Sequence, residues 1–260
     1  MIYIESKENN FFKSTKKLKE RRFRQKEGKF ILEGFRLIEE AAKANMEIEY
    51  IILSQGNEEK LYNSSLKEVI NDDKIYVFSS SLFLQISSTE HPQGVIAVVK
   101  NKKMTIDLDG GFFLVCDKVQ DPGNLGTIIR TGHAAGVDGI ILTKGTVDIY
   151  NDKTIRSTMG SIFYVPIFYD DEDFSIIKKL KDNGVALVTT SLEESKNFFE
   201  ENLKGKIMLA VGNEGNGISN ELFELASKKV KIPMPGGAES LNVAIATSII
   251  LFEKVRQNLI

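Results

Sequence analysis

Short apolar runs alternate along the chain with longer segments in which apolar residues recur at spacings of three and four. The short runs predict strands and the longer segments predict amphipathic helices. In the first part of the chain the pattern predicts strands at 30–32, 48–53, 75–78 and 94–99, and helices at 34–44, 58–70 and 79–86. Alternating elements of this kind predict a small α/β domain.

The alternation becomes more regular in the second part of the chain. It predicts strands at 112–117, 138–143, 163–168, 185–190, 206–211 and 229–232, and helices near 124–136, 151–160, 172–183, 219–227 and 240–257. Several of these strands are continuous apolar runs, as expected where helices cover both faces of a mostly parallel sheet. The charged segment 101–111 contains two glycines and separates the two parts. We therefore predict one domain at 1–104 and a second at 105–260.

Charge is distributed unevenly between the two predicted domains. The whole chain has 34 basic and 36 acidic residues, but residues 1–104 hold 18 basic and 15 acidic ones. Residues 13–29 alone hold nine basic and two acidic residues. That imbalance is typical of a surface that binds phosphates, although a merely soluble helix is the structural alternative. The candidate phosphate contacts are Lys16, Lys17, Arg21, Arg22 and Arg24.

The remaining composition excludes several classes of site. Cys116 is the only cysteine and lies in an apolar run, so neither a disulfide framework nor a cysteine metal site is expected. His91 and His133 have no neighbours at metal-ligand spacing, and we expect no metal. The longest apolar stretch is interrupted by polar residues and is too short to span a bilayer. We expect a cytoplasmic protein without a membrane partner.

Polar, glycine-containing loops follow three predicted strands of the second domain, at the edge where such sheets bind ligands. The first loop leads into a helix for which Asn124 is a plausible N-cap, and Arg130 follows six residues later. A helix N-terminus suits an anion, and the forked, permanently charged head of Arg130 could reinforce that. An exposed surface arginine is the structural alternative.

The second loop runs Val211-Gly-Asn-Glu-Gly-Asn-Gly-Ile-Ser219 and places Glu214 among three glycines. It matches neither the dinucleotide-binding fingerprint nor the Walker A loop. The third loop begins at Ile232 and carries two prolines and two glycines before an apolar helix. Ser240 and Asn242 stand at the start of that helix, where free backbone N–H groups need an acceptor. A well-capped core helix is the structural alternative.

These loops resemble the three motifs of the SpoU (TrmH) family of RNA ribose 2′-O-methyltransferases, in order and with similar spacing. Asn124-Leu-Gly-Thr-Ile-Ile-Arg130 resembles the first motif, and Gly212-Asn-Glu-Gly-Asn-Gly-Ile218 resembles the second. Ile232-Pro-Met-Pro-Gly-Gly-Ala-Glu-Ser-Leu-Asn-Val243 resembles the third. Residues 13–100, with His91-Pro-Gln-Gly-Val95, are similar to the RNA substrate-binding domain that often precedes the family's catalytic domain.

The resemblance implies a fold and a set of ligands. It implies a deep trefoil knot in the second domain, S-adenosylmethionine as the methyl donor, and a homodimer formed through the knotted domain. The residues that would hold the cofactor are Gly212, Ile232, Met234, Ser240 and Leu241.

The resemblance also implies that Arg130 is catalytic, with Asn124, Glu214, Ser240 and Asn242 completing the centre. A guanidinium keeps its proton in proteins, so the role of general base, which family accounts often give this arginine, is physically strained. We favour Arg130 as a phosphate clamp and oxyanion stabiliser, with water or Glu214 as the proton acceptor.

Arg156 is a further candidate for RNA contact, because segments similar to 151–161 lie beside the active site in the family. A surface-helix role is the alternative. The two-domain arrangement favours ribosomal RNA over transfer RNA, by analogy of fold alone. The rival functions are a transfer RNA ribose methyltransferase, a non-catalytic RNA-binding protein of ribosome assembly, and a nucleotide-dependent metabolic enzyme.

Overall fold

The computed structural model describes residues 1–102, 104–191 and 196–260. Contacts divide the chain into two compact units. One unit comprises Met1–Lys103 and Tyr150–Phe163, and the other comprises Met104–Ile149 and Tyr164–Ile260. The domain limits 1–104 and 105–260 stay a prediction, but the contacts group residues 150–163 with the first unit.

The first unit contains a five-stranded mixed sheet. Its strands are β1 (Ile2–Ile4), β2 (Lys29–Glu33), β3 (Ile48–Ser54), β4 (Ile75–Phe78) and β5 (Val95–Lys100). Its helices are α1 (Asn10–Lys17), α2 (Arg21–Glu27), α3 (Phe35–Lys43), α4 (Glu58–Tyr62), α5 (Ser80–Ile86) and, from later in the chain, α7 (Asp152–Thr158). The strand order is β1-β4-β3-β5-β2, with β5 antiparallel to both of its neighbours.

The predicted helix over 58–70 is wrong, because the chain forms two shorter pieces there. The helix α4 ends at Tyr62, and a 3-10 turn follows at Ser65–Glu68. The intervening asparagine and serines are weak helix formers. The hydroxyl of Ser64 donates to the carbonyl of Leu61 at 2.8 Å, which competes with continuation of the helix.

The second unit contains a seven-stranded sheet in which every described pair of strands is parallel. Its strands are β6 (Phe112–Cys116), β7 (Gly139–Leu142), β8 (Ile167–Tyr169), β9 (Ala186–Thr190), β10 (Lys196–Asn197), β11 (Ile207–Val211) and β12 (Lys228–Lys231). Its helices are α6 (Pro122–Ala135), α8 (Ser175–Asp182), α9 (Asn220–Glu224) and α10 (Val243–Leu259). The strand order β10-β12-β9-β11-β6-β7-β8 places β11 and β6 side by side at the centre.

Helices cover both faces of this sheet, as the continuous apolar runs predict. Phe113 and Met208 on one face pack in a buried cluster with Ile177 and Leu180 of α8. On the other face, α6 approaches so closely that a Cβ at Gly132 would lie 3.2 Å from a methyl group of Ile140. Full burial of each large apolar side chain contributes about 1.5–3 kcal/mol, so the sheet is a rigid support for its loops.

The strand predicted at 163–168 begins later, at Ile167. The preceding residues Ser161–Phe163 form a 3-10 turn of the first unit. Pro166 has no N–H to donate to a ladder, and its carbonyl accepts the first bond, from Ile140, at 2.8 Å. An apolar run alone cannot tell such a buried turn from a strand.

The helix α10 is fixed at its far end to the segment before β11. The ammonium of Lys254 is buried and donates to the carbonyl of Gly205 at 2.9 Å. Gln257 donates to the carbonyl of Glu201 at 3.0 Å and accepts from the N–H of Leu203 at 2.8 Å. None of the helices in the described ranges combines the length and apolar character that a membrane crossing requires.

Arg24 has a structural role that the charge pattern does not predict. Its side chain is 6% exposed, and its Nη1 donates to the carbonyls of Leu18 at 2.9 Å and Lys19 at 2.7 Å. Those carbonyls follow the end of α1, where no intrahelical donor is available. The proposal of Arg24 as a phosphate contact is therefore wrong.

We expect Arg24→Met to lower the free energy of unfolding by about 1–3 kcal/mol, because two carbonyls at the end of α1 lose their donor. The exposed Arg21→Met is the matched control and should change it by less than about 0.5 kcal/mol. Urea unfolding followed by circular dichroism measures both. Equal stability of the two variants would contradict the structural role of Arg24.

Candidate active site

The helix α6 starts at the carboxyl end of β6, and its N-cap is Asp121. Oδ1 of Asp121 accepts a hydrogen bond from the N–H of Asn124 at 2.8 Å. Pro122 occupies the first helical position, where a missing N–H costs nothing. The prediction that Asn124 caps this helix is therefore wrong. Because Asn124 lies inside the first turn, its side chain is left to contact other loops.

The carboxylate of Glu214 joins the loop after β11 to the start of α6. Its Oε1 accepts from the N–H of Asp121 at 3.1 Å and from Nδ2 of Asn124 at 3.0 Å. Its Oε2 accepts from the N–H of Gln120 at 3.2 Å. The free N–H groups before a helix are where a negative charge is most favourable. We call Glu214 with these three donors the Glu214 latch.

Asn242 attaches the third loop to the Glu214 latch. Its Nδ2 donates to Oδ1 of Asn124 at 3.0 Å, while its own Oδ1 accepts from the N–H of Ala244 at 2.9 Å as the N-cap of α10. Asn124 thus uses both ends of its amide, donating to Glu214 and accepting from Asn242. The structure brings these three predicted catalytic residues together, and their catalytic roles stay a prediction.

Gly212 allows the loop after β11 to close into a narrow turn. Asn213 and Gly217 exchange two backbone hydrogen bonds, at 2.8 and 3.0 Å. A Cβ at Gly212 would lie 2.1 Å from the carbonyl carbon of Gly217, so only glycine fits there. The narrow turn presents Glu214 at its tip, towards α6.

Asp117 supports the site and was not predicted from the sequence. It is fully buried beneath the loops, where Oδ1 accepts from the hydroxyl of Thr143 and Oδ2 from the N–H of Ser219, both at 2.7 Å. A buried carboxylate is tolerated only when its oxygens accept hydrogen bonds. An acidic residue directly after a continuous apolar strand is the signal that could have found Asp117. The Asp-Pro pair at 121–122 is the corresponding signal for the true N-cap.

Arg130 and Ser240 are not joined to the Glu214 latch. Both side chains are exposed, and within the described ranges neither makes a hydrogen bond with Glu214, Asn124 or Asn242. Arg130 lies six residues beyond Asn124, about 9 Å along the helix axis at 1.5 Å per residue. The single chain therefore assembles only part of the predicted catalytic centre.

The predicted cofactor residues lie in the second and third loops. Gly212 is buried, and the side chains of Ile232, Met234 and Leu241 are half-buried. Among the described residues, the segment 232–241 makes one hydrogen bond between its own backbone groups, from Gly237 to Met234. Other backbone donors and acceptors of this segment are therefore available to a ligand, beside aliphatic surface.

The predicted RNA contacts of α1 and α2 differ in what they touch. Lys16 donates to a glutamine side chain of α5 at 2.9 Å. The ammonium of Lys17 lies 5.2 Å from the ring centre of Phe23. Arg21 and Arg22 are exposed and make no hydrogen bond or ion pair within the part of the chain that the structure describes. These two guanidinium groups, like the exposed ammonium of Lys26, are available cations of the basic stretch.

Arg156 lies in α7, in the first unit, where its Nη1 donates to the hydroxyl of Ser88 at 3.2 Å. Ser88 in turn donates to the carboxylate of Glu33 from its N–H at 2.8 Å and its hydroxyl at 2.9 Å. Burial alone would raise the pKa of Glu33, but the hydrogen bonds from Ser87, Ser88 and Thr89 outweigh it and lower the pKa. An ionised Glu33 therefore fixes the segment that supports Arg156.

The same balance holds the pKa of Glu214 below its ordinary value. Burial alone would raise the pKa. The hydrogen bonds from the side chain of Asn124 and from the N–H groups of Asp121 and Gln120 lower the pKa by more than burial raises it. A carboxylate with a lowered pKa and both oxygens occupied is a poor proton acceptor. The geometry thus favours Glu214 as a residue that positions the loops.

A model of the SpoU rRNA methylase family matches residues 111–252, which include all of the loops described above. The chain belongs to the SpoU rRNA methylase family. A model of the MRM3-like substrate binding domain matches residues 9–97, most of the first unit.

The similarity to other proteins covers nearly the whole chain. The 23S rRNA (guanosine(2553)-2′-O)-methyltransferase RlmP of Bacillus subtilis is 36% identical over 97% of this chain and 98% of its own. The crystal structure of an AdoMet-bound rRNA methyltransferase from Sinorhizobium meliloti has a TM-score of 0.86 and 32% identity, covering 99% of this chain and 98% of that one. A TrmH/SpoU tRNA modifying enzyme of A. aeolicus, 34% identical with a TM-score of 0.51, covers only 58% of this chain and 79% of that one.

We expect Glu214→Ala to release the SpoU motif loops from one another without unfolding the sheet. Amide hydrogen exchange should show protection at residues 120–121 falling about tenfold, because these N–H groups lose a charged acceptor. The folded pKa of Glu214 is lowered, so the latch persists above the unfolded value of about 4.3 and is lost as pH falls through the folded pKa.

Glu221→Ala, on the exposed start of α9, is the matched control for this measurement. It removes the same charge from a carboxylate outside the latch and should leave protection at residues 120–121 unchanged. Unchanged protection in Glu214→Ala as well would contradict the latch.

Proposed function

We propose that the protein transfers a methyl group from S-adenosylmethionine to a ribose 2′-hydroxyl of ribosomal RNA. The observation that carries this proposal is the hydrogen-bonded chain from Glu214 through Asn124 to Asn242. It joins one residue from each of the three SpoU motifs at the carboxyl ends of the strands. Such a joint fixes the loops before a substrate arrives, as a positioning catalyst requires.

The second and third loops fit the cofactor. Backbone groups between Ile232 and Leu241 that have no partner in the described ranges lie beside the half-buried side chain of Met234. They suit a flat base held by main chain and aliphatic surface. Gly212 keeps the neighbouring turn narrow, and Ser240 offers a hydroxyl at the entrance to α10. When bound, S-adenosylmethionine supplies an electrophilic methyl group.

The protein residues then orient the ribose and stabilise charge. Arg130 keeps its proton and donates hydrogen bonds from a rigid fork to a phosphate or to the oxygen that becomes anionic. Glu214 stays ionised and holds Asn124, so it positions the centre without taking a proton. The proton of the ribose hydroxyl passes to water.

The extent of the structural likeness supports ribosomal RNA as the substrate. The rRNA methyltransferase from Sinorhizobium meliloti matches 99% of this chain, including the first unit. The tRNA modifying enzyme matches only 58% of the chain. Exposed Arg21 and Arg22 in the first unit supply cations for the backbone phosphates of a large RNA.

We expect Arg130→Ala to lower kcat for RNA methylation by about 10²–10³-fold, because a donor to the developing anion is lost. Arg130→Lys keeps the charge but loses the fork, and should fall between Ala and wild type. Arg36→Lys, an exposed arginine of α3, is the matched control and should retain full activity. The assay uses methyl-labelled S-adenosylmethionine with ribosomal and transfer RNA transcripts, followed by mapping of 2′-O-methylated positions.

Each outcome of that assay separates one rival function. Label in transfer RNA alone would support a transfer RNA methyltransferase. Cofactor binding without label in RNA would support a non-catalytic protein of ribosome assembly. Absence of both would support a nucleotide-dependent metabolic enzyme. Wild-type activity of Arg130→Lys would show that the forked geometry does not matter.

The protein also forms a homodimer through the second unit in our proposal. Ile245, Phe252 and Leu259 are exposed at seven-residue spacing on α10, which gives the helix an apolar stripe facing solvent in the single chain. Between Ile245 and Phe252, the hydroxyl of Ser248 contacts that of Thr131, the residue next to Arg130. A twofold contact through this stripe would bring Arg130 of one subunit towards the loops of its partner.

We expect a solution mass of twice the 29.1 kDa of the chain, and the monomer mass for Phe252→Asp, by light scattering after size exclusion. Refolding a mixture of Arg130→Ala and Glu214→Ala chains tests whether Arg130 acts across the dimer. Shared sites would restore about a quarter of wild-type activity, since half of the dimers would be mixed and each mixed dimer would hold one intact site. A monomeric wild type, or no restoration, would contradict this arrangement.

Two further properties belong to the same proposal. The trefoil knot, formed by threading of the carboxyl-terminal segment, is supported by family membership, and an experimental structure with an unthreaded chain would contradict it. We propose a location in the reducing cytoplasm. Cys116, the only cysteine, supports this, since it is a free thiol whose burial raises its pKa. Fractionation that found the protein outside the cytoplasm would contradict this location.

A further inference from the structure

Lys118 has a backbone conformation that lysine rarely adopts. It follows β6 directly and has a φ of 55°. In this left-handed region the Cβ of an L-residue crowds the following carbonyl oxygen, and glycine or asparagine is the usual occupant. A residue held this way persists only where its surroundings impose the geometry, and such residues cluster at functional sites.

Neighbouring strand ends hold the backbone of Lys118 on both sides. Its N–H donates to the hydroxyl of Thr143, after β7, at 3.1 Å. Its carbonyl accepts from Nδ2 of Asn213, after β11, at 3.0 Å. The hydroxyl of Thr143 is itself fixed by its donation to buried Asp117. Three strand ends thus determine the position of a residue that could have been glycine.

The aliphatic part of the Lys118 side chain is held in place, while its ammonium has no partner in the described ranges. Gly145, in the loop after β7, has a φ of +99°, and a Cβ there would lie 3.3 Å from Cγ of Lys118. The aliphatic stem therefore lies across the bare backbone of Gly145. The residue is exposed, and within the described ranges its ammonium has no hydrogen bond or ion pair.

We propose that Lys118 binds a backbone phosphate of the RNA substrate and so positions the RNA over the strand ends. The proposal rests on the proposed function and adds a contact that the family motifs do not include. An ammonium is a compact point charge that suits a phosphate oxygen, and phosphate contacts set register without reading sequence.

The position of the side chain favours RNA phosphate over the carboxylate of the cofactor. The proposed cofactor loops follow β11 and β12, on one side of β6 in the sheet. The stem of Lys118 packs on Gly145, which follows β7 on the other side of β6. The charge is therefore directed away from the cofactor loops.

Three variants separate charge from backbone strain. Lys118→Gln removes the charge but keeps a side chain in the left-handed conformation, so the backbone strain remains. Lys118→Gly removes both the charge and the strain. Lys204→Gln is the matched control. Lys204 is an exposed lysine before β11, at the amino ends of the strands, whereas Lys118 lies at their carboxyl ends. RNA affinity is measured by filter binding to transcripts of large-subunit ribosomal RNA over a range of salt, cofactor affinity by calorimetry with S-adenosylmethionine, and Tm by scanning fluorimetry.

We expect both Lys118 variants to bind RNA about fivefold more weakly at low salt, with the slope of log K against log salt reduced by about 0.7–0.9. Lys204→Gln should leave both quantities unchanged. Affinity for S-adenosylmethionine should be the same in every variant. The Tm of Lys118→Gly should equal or exceed that of Lys118→Gln, because glycine relieves the strain.

RNA affinity and salt slope equal to those of Lys204→Gln would overturn the role of Lys118. A loss of cofactor affinity with unchanged RNA affinity would overturn it too, by assigning the lysine to the cofactor carboxylate. A Tm of Lys118→Gly below that of Lys118→Gln would contradict the backbone strain at this position, on which the inference depends. Wild-type protein that bound no RNA would instead overturn the proposed function itself.

Discussion

The site depends on one carboxylate that accepts three hydrogen bonds. Ordering the backbone of a loop costs about 1–2 kcal/mol per residue, and a hydrogen bond to a charged group returns about 1.5–3 kcal/mol. The Glu214 latch alone therefore cannot order three loops. It can select one arrangement only because the paired turn at 213–217 and the buried carboxylate of Asp117 have already restricted the loop that carries it.

The loop that carries Glu214 is restricted because it is attached to a sheet that does not deform easily. The central strands β6 and β11 lie between helical layers, and their ends place Asp117 and Gly212 side by side. At the far end of α10, which follows the third motif, Lys254 and Gln257 hold the helix to the segment before β11. Both ends of β11 are thus tied to α10, one through Asn242 and Asn124 and the other directly. A shift of this helix would move the loops as one body.

Sequence reasoning predicted what depends on local pattern and missed what depends on distant contacts. The apolar runs gave the central strands of the second unit to within one or two residues, because burial on both faces leaves an unambiguous signature. The two-residue strand β10 and the three-residue strand β1 leave no such signature and were not predicted. Arg24 was misassigned as a phosphate contact. Nine of the seventeen residues 13–29 are basic, and the charge pattern does not indicate which of them points inward to cap α1.

The candidate site divides in the same way. The rule that parallel strands end at one edge predicted that the three loops would lie together. The resemblance to the SpoU family then implied that Asn124, Glu214 and Asn242 meet there. It could not show that Asp121 takes the cap and leaves Asn124 free to use both ends of its amide. Nor could it show that Arg130, only six residues away in the chain, lies outside the hydrogen-bonded set, since the helix α6 carries Arg130 about 9 Å along its axis from Asn124.

The grouping of residues 150–163 with the first unit has a consequence for how the chain is made. The first unit is built from two separated stretches, and Ile155 of the later stretch is 2% exposed. Domains usually fold in order as they leave the ribosome. Here the amino-terminal unit lacks a helix until about a third of the second unit has also been synthesised. The ring of Phe30 lacks the stacked ring of Tyr150, from the later stretch, during that interval. The nascent chain therefore has a period in which neither unit is complete.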